Sequence, residues 1–252
     1  MTAPLSPRSG LFVKTTSPHI VEVLATCPGV DFAVLDGEHA PFDRGDLDLM
    51  LLAGKAAGLP LLVRVQDSQP STILSALDLG AQGLVIPHVD SADIARKVGA
   101  LARYRGGMRG YSGGTRIAGY GSIAMARVCD ASDTVPVIAQ IEHPDAVAAV
   151  DPILAVDTIA GILIGRADLA LSMGYDDTAA PEVDRVVRSL LARAAGSGKI
   201  VGVVVADHVE RDRYAALGAN WFLVGTDHSY LRLGARAALI GTQPRPAPLQ
   251  AP

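Results

Sequence analysis

Cysteine, aromatic residues and long apolar runs are all scarce in this chain, and each shortage removes a class of protein. Only Cys27 and Cys129 occur, with no paired metal-binding spacing. That excludes a disulfide framework and a zinc ribbon, and leads us to expect two packed thiols in a reducing, cytoplasmic setting. No run approaches the roughly 18 apolar residues of a membrane span. The opening MTAPLSPRSG also lacks the apolar core of a signal peptide, so neither feature is expected. Excess positive charge is missing too: Lys and Arg number 22 against 26 Asp and Glu, for a net charge of -4, which argues against a nucleic-acid partner. Nor does any G-x-G-x-x-G follow the first apolar run, so the dinucleotide-binding signature is absent.

What is present is a rhythm. Short apolar runs begin near Gly10 (GLFVK), at Phe32 (FAVLDGE), Leu61 (LLVRV), Gly83 (GLVIPHV), Pro136 (PVIAQIE), Gly161 (GILIG), Val201 (VGVVVA) and Trp221 (WFLVGT). Each is continuous rather than alternating, as in parallel strands covered on both faces. Helical spacing fills the gaps at 46–57, 72–79, 91–103, 146–154, 183–195 and 210–217, and several of these stretches close on a glycine. Eight such units in 252 residues, 49% of them hydrophobic, predict a single-domain (β/α)8 TIM barrel spanning 1–252. Its core should run from about 10 to 240, leaving the Pro-rich 241–252 as a disordered tail. The longest irregular piece, Arg105 to Gly121, is rich in Gly and Arg and reads either as a substrate-covering loop or as a surface excursion. A final helix with an apolar face is expected over Ser229 to Ile240.

In a barrel of this kind, chemistry sits at the C-terminal ends of the strands. Polar groups collect there: Asp36, Glu38 and His39 after the second run, Arg64 in the third, His88 after the fourth, Gln140 and Glu142 in the fifth and Asp168 after the sixth. Arg64 and Gln140 lie inside otherwise apolar runs, where an unpaired polar group would lose several kcal/mol of solvation, so both need partners. Glu142 and Asp168 end consecutive strands and could offer two hard oxygens to Mg²⁺ or Mn²⁺, with Co²⁺ a further candidate. Each also has a plainer account: an arginine ion pair for Glu142, and a helix N-cap for Asp168. His39 reads either as a general base beside such an ion or as an ordinary loop histidine. Asp36 and Glu38 read as supports for the loop.

Taken in order, LDGEHAPFD, LVRV, LDLGAQGLVIPHVDSADIA, QIEHPDAV and GILIGRADLALSMG resemble the motifs of the HpcH/HpaI aldolase family, over roughly Phe12 to Asp227. The resemblance implies a (β/α)8 barrel that makes or breaks a carbon-carbon bond through a pyruvate enolate with a divalent metal. Homo-oligomers built as trimers of dimers are implied as well. It also assigns roles: Glu142 and Asp168 as metal ligands, Arg64 as the enolate-stabilising arginine, His39 as the catalytic histidine and Asp78 as its partner. Gln140, Gly165 and Ala167 match pyruvate-pocket positions, Arg166 joins them on the substrate-binding loop, and Asp36 stands behind the site. The implied partners are a 2-oxo acid, pyruvate or oxaloacetate, and an aldehyde.

Several positions depart from that pattern. Arg166 replaces a usual proline, the loop at Tyr104 to Gly110 reads YRGGMRG, and His88 and His143 stand where hydrophobic and hydroxyl residues are common. One reading uses Arg166 or Arg116 to hold an acidic aldehyde; the other points Arg166 into solvent or pairs it with an acid across a subunit contact. Two rival functions remain on the same scaffold. One is a citrate-synthase-like or citryl-lyase-like enzyme acting on oxaloacetate and an acetyl-thioester, and the other is a non-catalytic 2-oxo-acid binding protein.

Overall fold

The computed structural model describes residues 7–240, so the expected tail at 241–252 lies outside the described residues. Eight parallel strands close into a barrel in chain order: β1 Arg8–Val13, β2 Phe32–Asp36, β3 Leu61–Arg64, β4 Leu84–Ile86, β5 Val137–Ile141, β6 Gly161–Ile164, β7 Ile200–Val205 and β8 Trp221–Thr226. The helices are α1 Pro18–Ala25, α2 Arg44–Ala57, α3 Pro70–Asp78, α4 Ala92–Leu101, α5 Met125–Ser132, α6 Pro144–Ala148, α7 Val150–Leu154, α8 Arg166–Ser172, α9 Pro181–Ala194, α10 His208–Ala215 and α11 Asp227–Ile240. This is the (β/α)8 TIM barrel, in one domain. No helix among the described residues is long and apolar enough to cross a membrane.

Two apolar layers hold it together. The larger lies between strands and helices; the smaller fills the barrel bore with Phe12, Phe32, Val34, Leu62, Val85, Ile138, Leu163, Trp221 and Leu223. Phe32 and Trp221 stack across the bore with ring centroids 4.3 Å apart. Gly10 admits them, because a Cβ there would lie 2.6 Å from the Phe32 ring. Side chains alternate along a strand, so whatever stands two residues beyond a bore residue also points into the barrel axis, one layer nearer the mouth. Applied to Phe12, Val34, Leu62, Ile138 and Leu163, that rule selects Lys14, Asp36, Arg64, Gln140 and Gly165.

The helices differ from expectation in three places, each with a cause. The stretch at 146–154 is two short helices rather than one, because Pro152 has no N–H for the Ala148 carbonyl and its ring crowds that turn. The irregular segment contains a 3-10 turn at Arg116–Gly121 and then α5. It packs on the barrel's flank rather than over the mouth: Arg116 pairs with Asp48 of α2, and Arg109 with Asp78 of α3. Third, α1 was not anticipated, although Ser17-Pro18 is an ordinary helix start. Of the two thiols, Cys129 is buried as expected, but Cys27 is exposed in the turn after α1.

Candidate active site

Arg64 is the centre of the mouth. It is nearly buried, its guanidinium lies 4.4 Å above the Phe12 ring, and Asp36 accepts from its Nε at 3.0 Å and its Nη2 at 2.7 Å. Asp36 is itself fully buried, accepts the His39 backbone N–H at 3.1 Å, and pairs through its other oxygen with the Lys14 ammonium. Burial alone would raise its pKa, but Arg64, Lys14 and the His39 N–H outweigh that and hold it below the usual aspartate range. The polar residue inside an apolar strand thus has the partner it requires. Lys14 was not singled out from the sequence; its place two residues beyond Phe12 on β1 is the signal that finds it.

Glu38 does more than brace its loop. Its side chain is one-tenth exposed, one oxygen lies 3.1 Å from Arg64 Nη1 and 3.7 Å from His39 Nε2, and the other lies 3.4 Å from His88 Nε2. Burial pushes its pKa up and the nearby Glu142 carboxylate adds to that, against the pull of Arg64 and the two histidines. The strand ends can close this tightly because residue 37 is glycine: its N–H meets the Arg64 carbonyl at 2.9 Å, and a Cβ would fall 2.7 Å from that oxygen.

Glu142, also buried, accepts the His88 N–H at 2.8 Å, faces His88 Nδ1 at 3.2 Å and accepts from the Gln140 amide. Among the described residues no arginine or lysine pairs with it, so the ion-pair account fails. The Gln140 carbonyl oxygen is buried and has no hydrogen-bond partner among the described residues. Gly165 keeps space beside Glu142, since a Cβ there would stand 3.2 Å from its Oε2 and 3.4 Å from Gln140. Asp168 sits one turn further on, in the first turn of α8, half-buried and without a hydrogen bond or ion pair among the described residues. It is not the N-cap; that position is Gly165. Ala167, between them, is exposed.

Lys14 and Arg64 pair with Asp36, and Arg64 also with Glu38, whereas among the described residues neither Glu142 nor Asp168 has a lysine or arginine partner. Two carboxylates without a cation are what a dication would balance. Among the described residues no three carboxylate, histidine or cysteine side chains already close around one point. The donors are adjacent rather than convergent. Their hard oxygens, the surplus charge and the orphaned Gln140 oxygen fit a divalent ion.

Other predicted positions fall elsewhere. Asp78 ends α3, the helix that runs back from the mouth toward the N-terminal face, and it receives Arg109 at 2.8 Å. His39 stands at the opposite end of the barrel with its ring half exposed, so no contact joins the two within one chain. Arg166 neither meets solvent nor waits for a substrate. It is buried, donates to Glu210 at 2.8 Å and lies beside Tyr214 and Thr178. His143 caps α6, its Nδ1 accepting the Asp145 N–H at 3.3 Å.

The family description HpcH/HpaI aldolase/citrate lyase matches residues 8–232. The chain belongs to that family. It is 37% identical over 221 residues to the 2-keto-3-deoxy-L-rhamnonate aldolase of Klebsiella pneumoniae, which covers 86% of this chain and 82% of the relative. Among solved structures, an HpcH/HpaI aldolase/citrate lyase family protein from Burkholderia cenocepacia superposes with a TM-score of 0.88 at 32% identity, covering 93% and 94% of the two chains. Citrate synthase SbnG superposes at 0.84 and 26% identity, covering 93% and 92%. This HpcH/HpaI family member is therefore an enzyme, a lyase of the aldolase kind.

Proposed function

We propose that the enzyme is a divalent-metal-dependent aldolase that cleaves or forms a 4-hydroxy-2-oxo acid through a pyruvate enolate. The observation that carries this reading is Arg64, fixed over Phe12 by Asp36 and set against Glu38 beside Glu142. Mg²⁺ or Mn²⁺ on Glu142 and Asp168 would supply a Lewis acid for the keto oxygen of the 2-oxo acid. Arg64 faces the oxygen on which negative charge grows as the C3 to C4 bond breaks, and its pinned fork needs no reorganisation at that moment. Gln140, donating through its amide to Glu142, holds that carboxylate in place beside the bound acid. Gly165 and Ala167 leave room for the methyl end of pyruvate. His39, half exposed at the mouth, takes the proton from the C4 hydroxyl.

With Arg166 held by Glu210 and Arg116 by Asp48, neither is free to select an acidic aldehyde. The aldehyde is then best read as a neutral, hydroxylated one, the fragment that retro-aldol cleavage of a 2-keto-3-deoxy sugar acid releases alongside pyruvate. Self-association belongs to the same reading. Helix α11 exposes Leu231, Leu233 and Leu239 beside an apolar cavity of about 550 Å³ lined by Ile20, Val23, Leu24 and Val30. Such faces suit the trimer-of-dimers assembly that the resemblance implies, and Asp78 can serve His39 only from a neighbouring copy.

The test is direct. Purified protein is incubated with pyruvate, Mn²⁺ or Mg²⁺ and a panel of neutral and acidic aldehydes, with and without a chelator. Chelator-sensitive 4-hydroxy-2-oxo acid formation is expected; product formation that ignores the chelator would reject the metal role. The similarity to citrate synthase SbnG keeps one rival in view. Condensation of oxaloacetate with an acetyl-thioester, without aldol activity, would put that rival in its place.

A further inference from the structure

Arg166 is the first residue of α8, two places before Asp168, yet it has no part in the mechanism above. No side chain caps that helix, because Gly165 stands at its N-cap, and the helix is only seven residues long. At its far end the Ser172 hydroxyl lies 2.9 Å from the Leu169 carbonyl and 3.2 Å from that of Glu142, which ties α8 to the end of β5. Asp168 makes no hydrogen bond or ion pair of its own among the described residues. The aim of its carboxylate therefore depends on how the first turn of α8 is held.

The Arg166 side chain supplies that hold. It is 6% exposed, Nη1 donates to Glu210 Oε2 at 2.8 Å, and Nη2 reaches Thr178 Oγ1 at 3.4 Å. The same Glu210 oxygen accepts the Ala206 N–H at 2.9 Å, so the contact joins the rim after β6 to the rim after β7. Tyr214 stands behind it, with its ring centre 5.5 Å from the guanidinium carbon and its hydroxyl donating to Asp184 of α9 at 2.9 Å. A buried ion pair adds little net stability over well-packed apolar side chains, so a fixed geometry is the better account of this one. Proline at the first helical position would hold the same turn by other means, because its φ is locked near about -65° and its missing N–H is not needed there. Gly165, at ψ 86, already lies outside the α region that a following proline disfavours.

We propose that Arg166 is a positioning residue: through Glu210 it fixes the first turn of α8, and with it the place of the Asp168 carboxylate beside Glu142. It touches neither the 2-oxo acid nor the ion. The inference rests on the reading that Glu142 and Asp168 serve one divalent ion. Its consequence is that a change behind the rim alters ion affinity while every ligand stays in the chain, and that a residue of unlike chemistry but like effect on the turn restores it.

The experiment is calorimetric titration of the purified protein with Mn²⁺, with thermal melting of every variant alongside. Arg166→Met fills much of the same space without the tether and should weaken Mn²⁺ binding about 10- to 100-fold, the usual effect of removing a group that orients a ligand. Arg166→Pro lacks the ion pair just as the methionine variant does, yet it should recover most of that affinity. Glu210→Gln keeps its shape and an acceptor, so it tests the tether even if the methionine variant does not fold. It should weaken Mn²⁺ in the wild-type background and leave binding unchanged in Arg166→Pro. Wild-type affinity in Arg166→Met or in Glu210→Gln overturns the proposal. So does an Arg166→Pro variant that binds no better than Arg166→Met, since Arg166 would then act by packing or charge alone, and so does a Glu210→Gln effect that persists beside the proline. In each of those cases wild-type binding that falls with Glu142→Gln leaves the metal reading standing. A wild type that binds no Mn²⁺, or binds it indifferently to Glu142→Gln, removes that reading and the proposal with it.

Discussion

Arg64 places two of its nitrogens, Nε and Nη2, on a single oxygen of Asp36, at 3.0 and 2.7 Å, in a contact that spans neighbouring strands and is closed off from water. The register pairs these two residues directly, Asp36 of β2 with Arg64 of β3. Their side chains meet because each stands two places beyond a bore residue, Val34 and Leu62. Position in the barrel, rather than any local motif, makes this pair.

The first prediction concerns its removal. Arg64→Ala should reduce kcat by on the order of 10²-fold or more, as loss of other oxyanion-stabilising donors does. Arg64→Lys should not rescue it, because an ammonium cannot serve Asp36 with two nitrogens and Glu38 with a third. Steady-state kinetics on both variants check this. A lysine variant with near wild-type kcat would show that charge alone suffices.

Asp36 carries a pH prediction. Burial raises its pKa, yet Arg64, Lys14 and the His39 N–H bring the folded value below the unfolded one. A depressed carboxylate contributes stability above its unfolded pKa, and that contribution is lost as pH falls through the folded value. Denaturant titrations should therefore show stability falling with acid from about pH 4 downward. Asp36→Asn should lack that component and should cost about 3–5 kcal/mol at neutral pH, since it leaves two cations facing a neutral amide. An unchanged acid limb in the variant would assign the acid sensitivity to other carboxylates.

Much of this was legible in advance, for a physical reason. Strands buried on both faces must be apolar throughout, so all eight announced themselves, and the few polar residues at their ends stood out. Lys14 did not, because a lysine closing an apolar run looks like an ordinary surface residue until Phe12 is known to point into the bore. The sequence leaves Arg166 open between holding an acidic aldehyde and meeting solvent or an acid across a subunit contact, and offers Arg116 for the first of these. Their partners, Glu210 and Asp48, lie 44 and 68 residues away, a separation that spacing along the chain cannot foresee. Glu38 reads in the sequence as a loop support because nothing in GEHAP shows Glu142 arriving beside it from β5. Pro152, by contrast, is a local signal: a proline inside 146–154 breaks the helix whatever the apolar spacing around it.

Gly165 tests how closely the acids are held. A methyl group there would stand 3.2 Å from Glu142 Oε2 and 3.3 Å from its Cβ, so the carboxylate must give way by a few tenths of an ångström. The backbone at residue 165, with φ -86, accepts alanine without strain. Gly165→Ala should therefore fold normally while Mn²⁺ binding weakens and turnover drops with it. Calorimetric titration alongside thermal melting separates the two effects. A variant that binds Mn²⁺ as well as the wild type would mean that Glu142 is not a ligand.

The last prediction follows from Asp78 and His39 lying at opposite ends of one barrel. The helix between mouth and base is nine residues long, or about 13 Å of rise, far beyond hydrogen-bond reach. If Asp78 supports the histidine, it does so across a subunit boundary, and His39→Ala and Asp78→Asn should each be nearly inactive alone. Mixed oligomers, made by co-expressing the two variants with different tags and purifying on both, should regain activity. In such an assembly a site can draw an intact His39 from one copy and an intact Asp78 from another. No recovery in doubly tagged oligomers of normal size would show that Asp78 has only the role visible within the chain, holding Arg109 and the loop beyond α4.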